Sequence, residues 1–517
     1  MAVFPNLQMH WLIGVLVILG LAVVVVRRLY FSPLSKFPGP KLAAATILYE
    51  AYYDIIKQGQ YTFKIKELHK KYGGCINALS ERPIIRINPW ELHINDPEYY
   101  GALYSQTSPR NKYLFFASQF NIPNSVFSTI DHQHHRLRRQ PLSPFFSKQS
   151  ILRLEPTISS MVEKLSSRIA EFKRSGQPMP LRLSYACLST DIVHLYAFNI
   201  YSNHLDSQDF SPKWNETIAS VSKLTTFMKH FPWLYKVFPR LPEWITSAIS
   251  PDMVLLLDWQ NLLRRQVQRS IDEQNAKVKN TDGLSRNIFQ SLLESDLPPQ
   301  DKTVERLRQE GQLLLGAGSD TVANTLSITT FHLVDNPEKM SKLVRELEKA
   351  MPDPNEPARL TIVEQVPYLS AVIQEGLRLF PDSLRLSYGV SARLQRIAPN
   401  EVLQFHEWSI PAGTPVGMSS PLMHHDESIF PDSYSFIPER WLDQSESVPP
   451  LDRYMVAFSK GSRSLAKAEL YLTLATVFRR YKVELFDTVR ERDVDLKHDN
   501  FLPFPSYKSR GIRAIFK

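Results

Sequence analysis

The sequence predicts a mainly α-helical body with small β-sheets, held behind one membrane-spanning helix. Three observations carry that reading. An unbroken apolar run stands near the start, apolar residues recur at helix spacing through much of the rest, and the strand-like runs are short and local.

The apolar run is residues 11–26 (WLIGVLVILGLAVVVV). With its flanks it covers 9–28, which approaches the length needed to cross a thin bilayer. No Lys or Arg precedes it and no small-x-small cleavage site follows, so it reads as an uncleaved anchor rather than a signal peptide. Arg27 and Arg28 follow at once, and such residues stay on the cytoplasmic side, which places the body there. Residues 29–45, with Phe37-Pro38-Gly39-Pro40, read as a Pro-rich hinge. Residues 46–517 then form the body. Helical periodicity marks 155–172, 258–273, 304–334 and 336–350, and strand patterns mark 83–88 and 402–405. The chain has 37 prolines against 18 glycines, which favours helix starts and rigid connections over flexible linkers.

Composition excludes several functions. The net charge of +9 is scattered, with its densest cluster at Arg136, Arg138 and Arg139, and no aromatic residues interleave with it. That argues against nucleic acid and for an anionic membrane surface or an acidic protein partner. The two cysteines, Cys75 and Cys187, form neither a disulfide framework nor a zinc site. Cys187 lies in an apolar, helix-like stretch and reads as a buried core thiol.

Three motifs suggest chemistry. The 304–334 pattern carries Ala317-Gly318-Ser319-Asp320-Thr321, whose small residues let a flat ligand approach the backbone. Its Thr hydroxyl can bond a carbonyl one turn back. Its Asp-Thr pair sets an acid beside a hydroxyl, as proton delivery requires. Glu375 and Arg378 share a helix face at i, i+3, and their apolar flanks predict a partly buried pair that needs a further partner. Pro438-Glu439-Arg440-Trp441 offers one.

Taken in order, these motifs resemble the cytochrome P450 superfamily. The helix motif matches [AG]-Gly-x-[DE]-Thr, Glu375 and Arg378 match Glu-x-x-Arg, and Arg440 matches the Arg of the Pro-Glu-Arg segment. His135 to Arg139 resembles the Trp/His-x-x-x-Arg helix, and Phe458, Gly461 and Arg463 open the pattern Phe-x-x-Gly-x-Arg-x-Cys-x-Gly. The chain looks closest to fungal secondary-metabolism members of the trichodiene-oxygenase kind.

The resemblance implies a haem-thiolate monooxygenase in the endoplasmic reticulum membrane. It would oxidise an apolar small molecule, a terpenoid or a polyketide, with electrons from an NADPH-dependent reductase. It implies that Asp320 and Thr321 deliver protons, and that Ala317 and Gly318 line the haem. His135, Arg139, Arg393 and Arg463 would hold the propionates, while Glu375, Arg378 and Arg440 lock the core. The loop Cys would ligate iron and push electron density toward O–O cleavage.

One departure falls on that Cys. After Arg463 the chain reads Ser464-Leu465-Ala466-Lys467-Ala468-Glu469, and Ala466 with Glu469 already matches the later Ala-x-x-Glu. About five residues are absent between Ser464 and Leu465, the Cys and Gly among them, so no metal ligand is assigned. Two lesser irregularities are an insertion at 73–82 and the recurrence of Leu377-Arg378-Leu379 as Leu384-Arg385-Leu386. The alternative reading is a catalytically inactive relative.

Overall fold

The computed structural model describes residues 4–73, 83–275, 287–379, 393–442, 450–458 and 464–517. Cys75, Gly461, Arg463, the 384–386 recurrence and most of the 73–82 insertion lie outside these residues. The chain divides into two compact units, one of residues 1–113 with 393–419 and the other of 114–392 with 420–517.

The smaller unit begins with the anchor. Helix Phe4–Val26 continues as a wider turn over Arg27–Phe31. The stretch His10–Phe31 has a mean hydropathy of 2.5 and no buried part, so its side chains meet whatever surrounds the protein. The segment expected to be a hinge is bonded along its length. Arg28 Nη1 donates to Ala45 O at 2.8 Å, Arg86 Nη1 donates to Arg28 O at 2.9 Å, and Arg86 N donates to Pro38 O at 2.7 Å. Gly39 takes a φ of 155°, and a Cβ there would collide with the Arg86 carbonyl, so the strap needs glycine at that point.

The strap lies against a five-stranded sheet with the order Ile84–Arg86, Leu92–Ile94, Pro415–Gly417, Arg396–Ile397, Asn111–Lys112. The pair between Leu92–Ile94 and Pro415–Gly417 is parallel and the others are antiparallel. The strand expected over 83–88 is Ile84–Arg86, and the one over 402–405 is Leu403–Phe405, which pairs with Trp408–Ile410.

The larger unit is built of long helices. The expected helices over 155–172, 258–273 and 336–350 lie in Lys148–Ser175, Pro251–Asn275 and Pro337–Ala350. Ser147 caps the first through the Ser150 N–H, and Gly176, at φ 67°, follows its last residue. Residues Val304–Val334 form a single central helix, capped by Thr303 through the Arg306 N–H. Its nearest neighbour is Leu181–Phe198, which is buried almost all round. A helix without a polar face has no amphipathic stripe, so its boundaries were not legible in the sequence. The core between these helices holds Phe198, Trp259, Phe289, Leu307 and Leu315. The C-terminal helix, Ser464–Arg480, buries every residue from Ala468 to Phe478.

Candidate functional site

The central helix sets the site. Between residues 306 and 333 its accessible positions are Leu313, Leu314, Gly316, Ala317, Gly318 and Thr321, and the others are buried. Leu314, Ala317 and Thr321 fall on one face at i, i+3 and i+7. That face is small and apolar at its centre. The Thr321 hydroxyl donates to Ala317 O at 2.8 Å, the back-bond expected one turn away.

Two sequence readings of this motif are corrected in part. Gly318 does not supply the flat surface, because a Cβ there would stand 2.7 Å from Val193 Cγ2 of the neighbouring helix. Gly311 plays the same part, with Phe198 Cζ at 2.9 Å. Both glycines bring Leu181–Phe198 close, and Ala317 alone of the small residues is exposed on the open side. Asp320 and Thr321 also face different ways. The Asp320 carboxylate is buried and accepts from Arg182 Nη2 at 2.5 Å, and Arg182 Nε donates to Asn324 Oδ1 at 2.7 Å. The acid is therefore held in an ion pair away from the Thr321 hydroxyl.

The expected propionate residues divide as well. Short helix His132–Arg139 is capped by Asp131 through the His134 N–H at 2.8 Å, and it presents His135 and Arg139 half-buried. The Arg139 guanidinium lies 5.3 Å from the Phe146 ring centre. Burial holds its pKa below the ordinary arginine value, against the Glu310 carboxylate. Arg138, read from the sequence only as part of the basic cluster, is the structural member: it pairs with Asp301 at 2.7 Å and donates to Thr129 Oγ1. Arg393 lies in the smaller unit with its donors committed. Its Nε reaches Glu91 Oε1 and its Nη2 reaches Glu50 Oε1, both at 2.6 Å. Both carboxylates are fully buried, so Arg393 is an internal counter-ion there.

The locking residues stand where their spacing placed them, and deeper. Glu375 and Arg378 are both fully buried and pair at 2.7 Å. Arg440 adds a contact to Glu375 at 3.2 Å, and Trp441 Nε1 donates to the same carboxylate at 2.8 Å. Arg378 spends its other nitrogen on His424 O and Ser433 O. The carboxylate thus ties the Pro367–Arg378 helix to the Pro438–Trp441 turn.

A haem fits one side of this arrangement and not the other. The small open face of the central helix suits a flat ring, and the Arg139 guanidinium suits a propionate. Among the described residues none suits the iron. Phe458 ends the described loop and helix Ser464–Arg480 begins six residues later, with no cysteine in 458–469. Cys187 is no substitute. It is fully buried, its thiol donates to Phe210 O at 3.1 Å, and burial pushes its pKa up to about 12.

The C-terminal helix also holds a group that the sequence reading treated only as a marker of register. Glu469 is fully buried, and neither carboxylate oxygen makes a hydrogen bond. Burial pushes its pKa up to about 8, offset in small part by the Ser189 hydroxyl beside it.

Known proteins match this chain over nearly its whole length. The cytochrome P450 family model matches residues 48–508. The cytochrome P450 monooxygenase MO6277 of Ascocoryne sarcoides is 50% identical over 98% of this chain and 98% of its own. The tryptophan 6-hydroxylase fscE of Fusarium equiseti is 43% identical over 95% of this chain and 93% of its own. The N-acetyltryptophan 6-hydroxylase ivoC of Emericella nidulans is 38% identical over 97% and 96%. A central helix with one small open face, a buried Glu-x-x-Arg lock and this likeness through the body lead to one assignment: the chain belongs to the cytochrome P450 family, the haem-thiolate monooxygenases among the oxidoreductases.

Proposed function

We propose that this chain's lineage oxidises an apolar or aromatic small molecule in fungal secondary metabolism, at the endoplasmic reticulum membrane with the body facing the cytoplasm. Electrons would come from an NADPH-dependent reductase, which the net positive charge suits as an acidic partner. The observation that carries the reading is the open Leu314–Ala317–Thr321 face on an otherwise buried helix of a cytochrome P450 body. The terpenoid or polyketide expectation widens to indoles, since two relatives are named for hydroxylating tryptophan and its N-acetyl derivative. The inactive alternative gains no support from the relatives, whose names are those of monooxygenases and hydroxylases.

The reading requires an iron ligand, and the 458–469 segment as it stands has none. We infer that the active product carries about five more residues between Ser464 and Leu465, Cys-x-Gly among them. Sequencing the transcript across the codons for Phe458 to Glu469 tests this. Extra codons restoring Cys-x-Gly uphold the monooxygenase. A transcript that reproduces the present segment removes oxygenase activity from this chain.

A further inference from the structure

A cavity of about 440 Å³ opens between helix Pro251–Asn275 and the start of the central helix, with Pro123 and Pro239 on its rim. Leu257, Gln260 and Arg264 line it from the first helix, and Glu305, Arg308 and Gln309 from the second. The first three stand at i, i+3 and i+7, so they form one stripe about 10 Å long.

The groups of the central helix are committed. Glu305 accepts from Arg308 Nη2 at 2.6 Å, from Gln309 Nε2 at 3.0 Å and from Arg264 Nη2 at 2.9 Å. Against the burial that would raise it, these donors hold its pKa down to about 2. Arg308 spends Nη1 on Gln312 Oε1 at 3.0 Å, and Gln309 Oε1 takes the Asn124 N–H at 2.7 Å.

The stripe on the other helix is not committed. An arginine only donates, so Gln312 must turn its oxygen to Arg308. Gln260 Nε2 donates to that same oxygen at 3.1 Å, which fixes the Gln260 amide in turn. Its Oε1 is left with no donor among the described residues, on a residue only 7% exposed. A buried acceptor without a donor is costly, and a ligand N–H satisfies it. Arg264, one turn on and half exposed, has contacts to Glu305 and to Asn261 Oδ1 at 3.3 Å, and its Nε–H is unused among the described residues. Arg264 and Arg308 together outweigh Glu305 by one positive charge. Leu257 and the two prolines supply an apolar end.

We propose that this cavity binds an apolar amino acid or its N-acyl derivative, with the carboxylate on Arg264, the N–H on Gln260 Oε1 and the apolar group against Leu257. A guanidinium suits the carboxylate, and the excess charge suits a single anion. Phosphate fits poorly, because its oxygens would face the Gln260 oxygen and its second charge meets no further cation. Two sources share the chemistry: the ammonium of a free amino acid and the amide N–H of an N-acyl one. Binding here needs neither iron nor an oxygenase step, so the site and the oxygenase reading fail separately.

The test is calorimetric titration of the full chain in detergent with N-acetyl-L-phenylalanine and, separately, with L-phenylalanine, 3-phenylpropionate and inorganic phosphate. At least one of the first two should bind saturably at one site, and 3-phenylpropionate, which lacks the N–H, about tenfold more weakly. Arg264→Gln leaves Glu305 its other donors and should weaken binding about tenfold or more. Gln260→Met should reduce the N–H probe to the level of 3-phenylpropionate and leave the latter unchanged. Binding of N-acetyl-L-phenylalanine alone identifies the amide form, and binding of L-phenylalanine alone identifies the ammonium form. The proposal is overturned if neither binds, if phosphate or 3-phenylpropionate binds as tightly, or if Arg264→Gln binds unchanged. Should Gln260→Met fail to fold, the comparison with 3-phenylpropionate on the unsubstituted protein decides.

Discussion

Replacing Glu469 by Gln should change how the stability of this protein depends on pH. The carboxyl is fully buried, makes no hydrogen bond, and has its pKa raised from an ordinary 4.5 to about 8. The native state therefore keeps a proton on Glu469 over a range where the unfolded chain has lost it. A state that binds more protons is favoured by acid. The stabilisation is fully present below pH 4.5 and is lost as pH rises through 8. Each unit of pH between those limits removes about 1.4 kcal/mol, so the whole span is about 5 kcal/mol and the loss at pH 7 is about 3 kcal/mol.

Glutamine keeps the shape and cannot ionise. Chemical unfolding of both proteins across that range, followed by tryptophan fluorescence, gives a difference curve in which the other titrating groups cancel. The curves should nearly meet at the acid end and separate steadily toward pH 8, with Glu469→Gln the more stable. Thr473 and Thr476 share the face of Glu469 on its helix, and their hydroxyls likewise make no hydrogen bond. Among the described residues nothing there supplies a cation to hold the charged form. Parallel curves, or a variant less stable at neutral pH, would refute the argument and mean that Glu469 is ionised in the fold.

Other substitutions test the packing around the site. Glu375→Ala strands two guanidiniums, those of Arg378 and Arg440, and should cost about 3–5 kcal/mol by urea unfolding. Gly318→Ala drives a methyl against Val193 and should cost about 1–3 kcal/mol, most of it recovered in the double variant with Val193→Ala. Arg182→Met leaves Asp320 buried without its cation and should destabilise by about 3 kcal/mol. Adding Asp320→Asn should restore most of that loss, and a strictly additive double variant would show that the pair is not coupled.

The Glu375–Arg378 lock was legible because both helix spacing and apolar flanks pointed to it, and Arg440 followed from a nearby tetrapeptide. Side-chain direction was harder. Asp320 and Thr321 are neighbours in sequence, yet adjacent helix positions stand about 100° apart, so one open face cannot take both. Which of the two it takes depends on Arg182, 138 residues away, and nothing in the motif signals that partner. Gly318 reads as room for a ligand until Val193 fills the space. Arg306 and Glu310 have the spacing of an exposed surface pair, in a stretch that also holds Glu305, Arg308 and Gln309. Only tertiary packing buries them.

The gap before Leu465 separates folding from chemistry. Helix Ser464–Arg480 buries Ala468 to Phe478 without a break, and Glu469, Thr473 and Thr476 hold one face together. A deletion inside the helix would have turned every downstream side chain by about 100° per residue lost, sending apolar groups to solvent. A deletion on the loop side moves none of them. On the proposed reading, the chain keeps the helix that packs the core and lacks only the segment that would meet the iron. Its unfolding temperature without haem should match that of a version with Cys-x-Gly restored. Only the restored version should give a thiolate-type absorption band with haem and carbon monoxide. A shortened chain that unfolds well below the restored one, both free of haem, would show that the missing segment also carries packing.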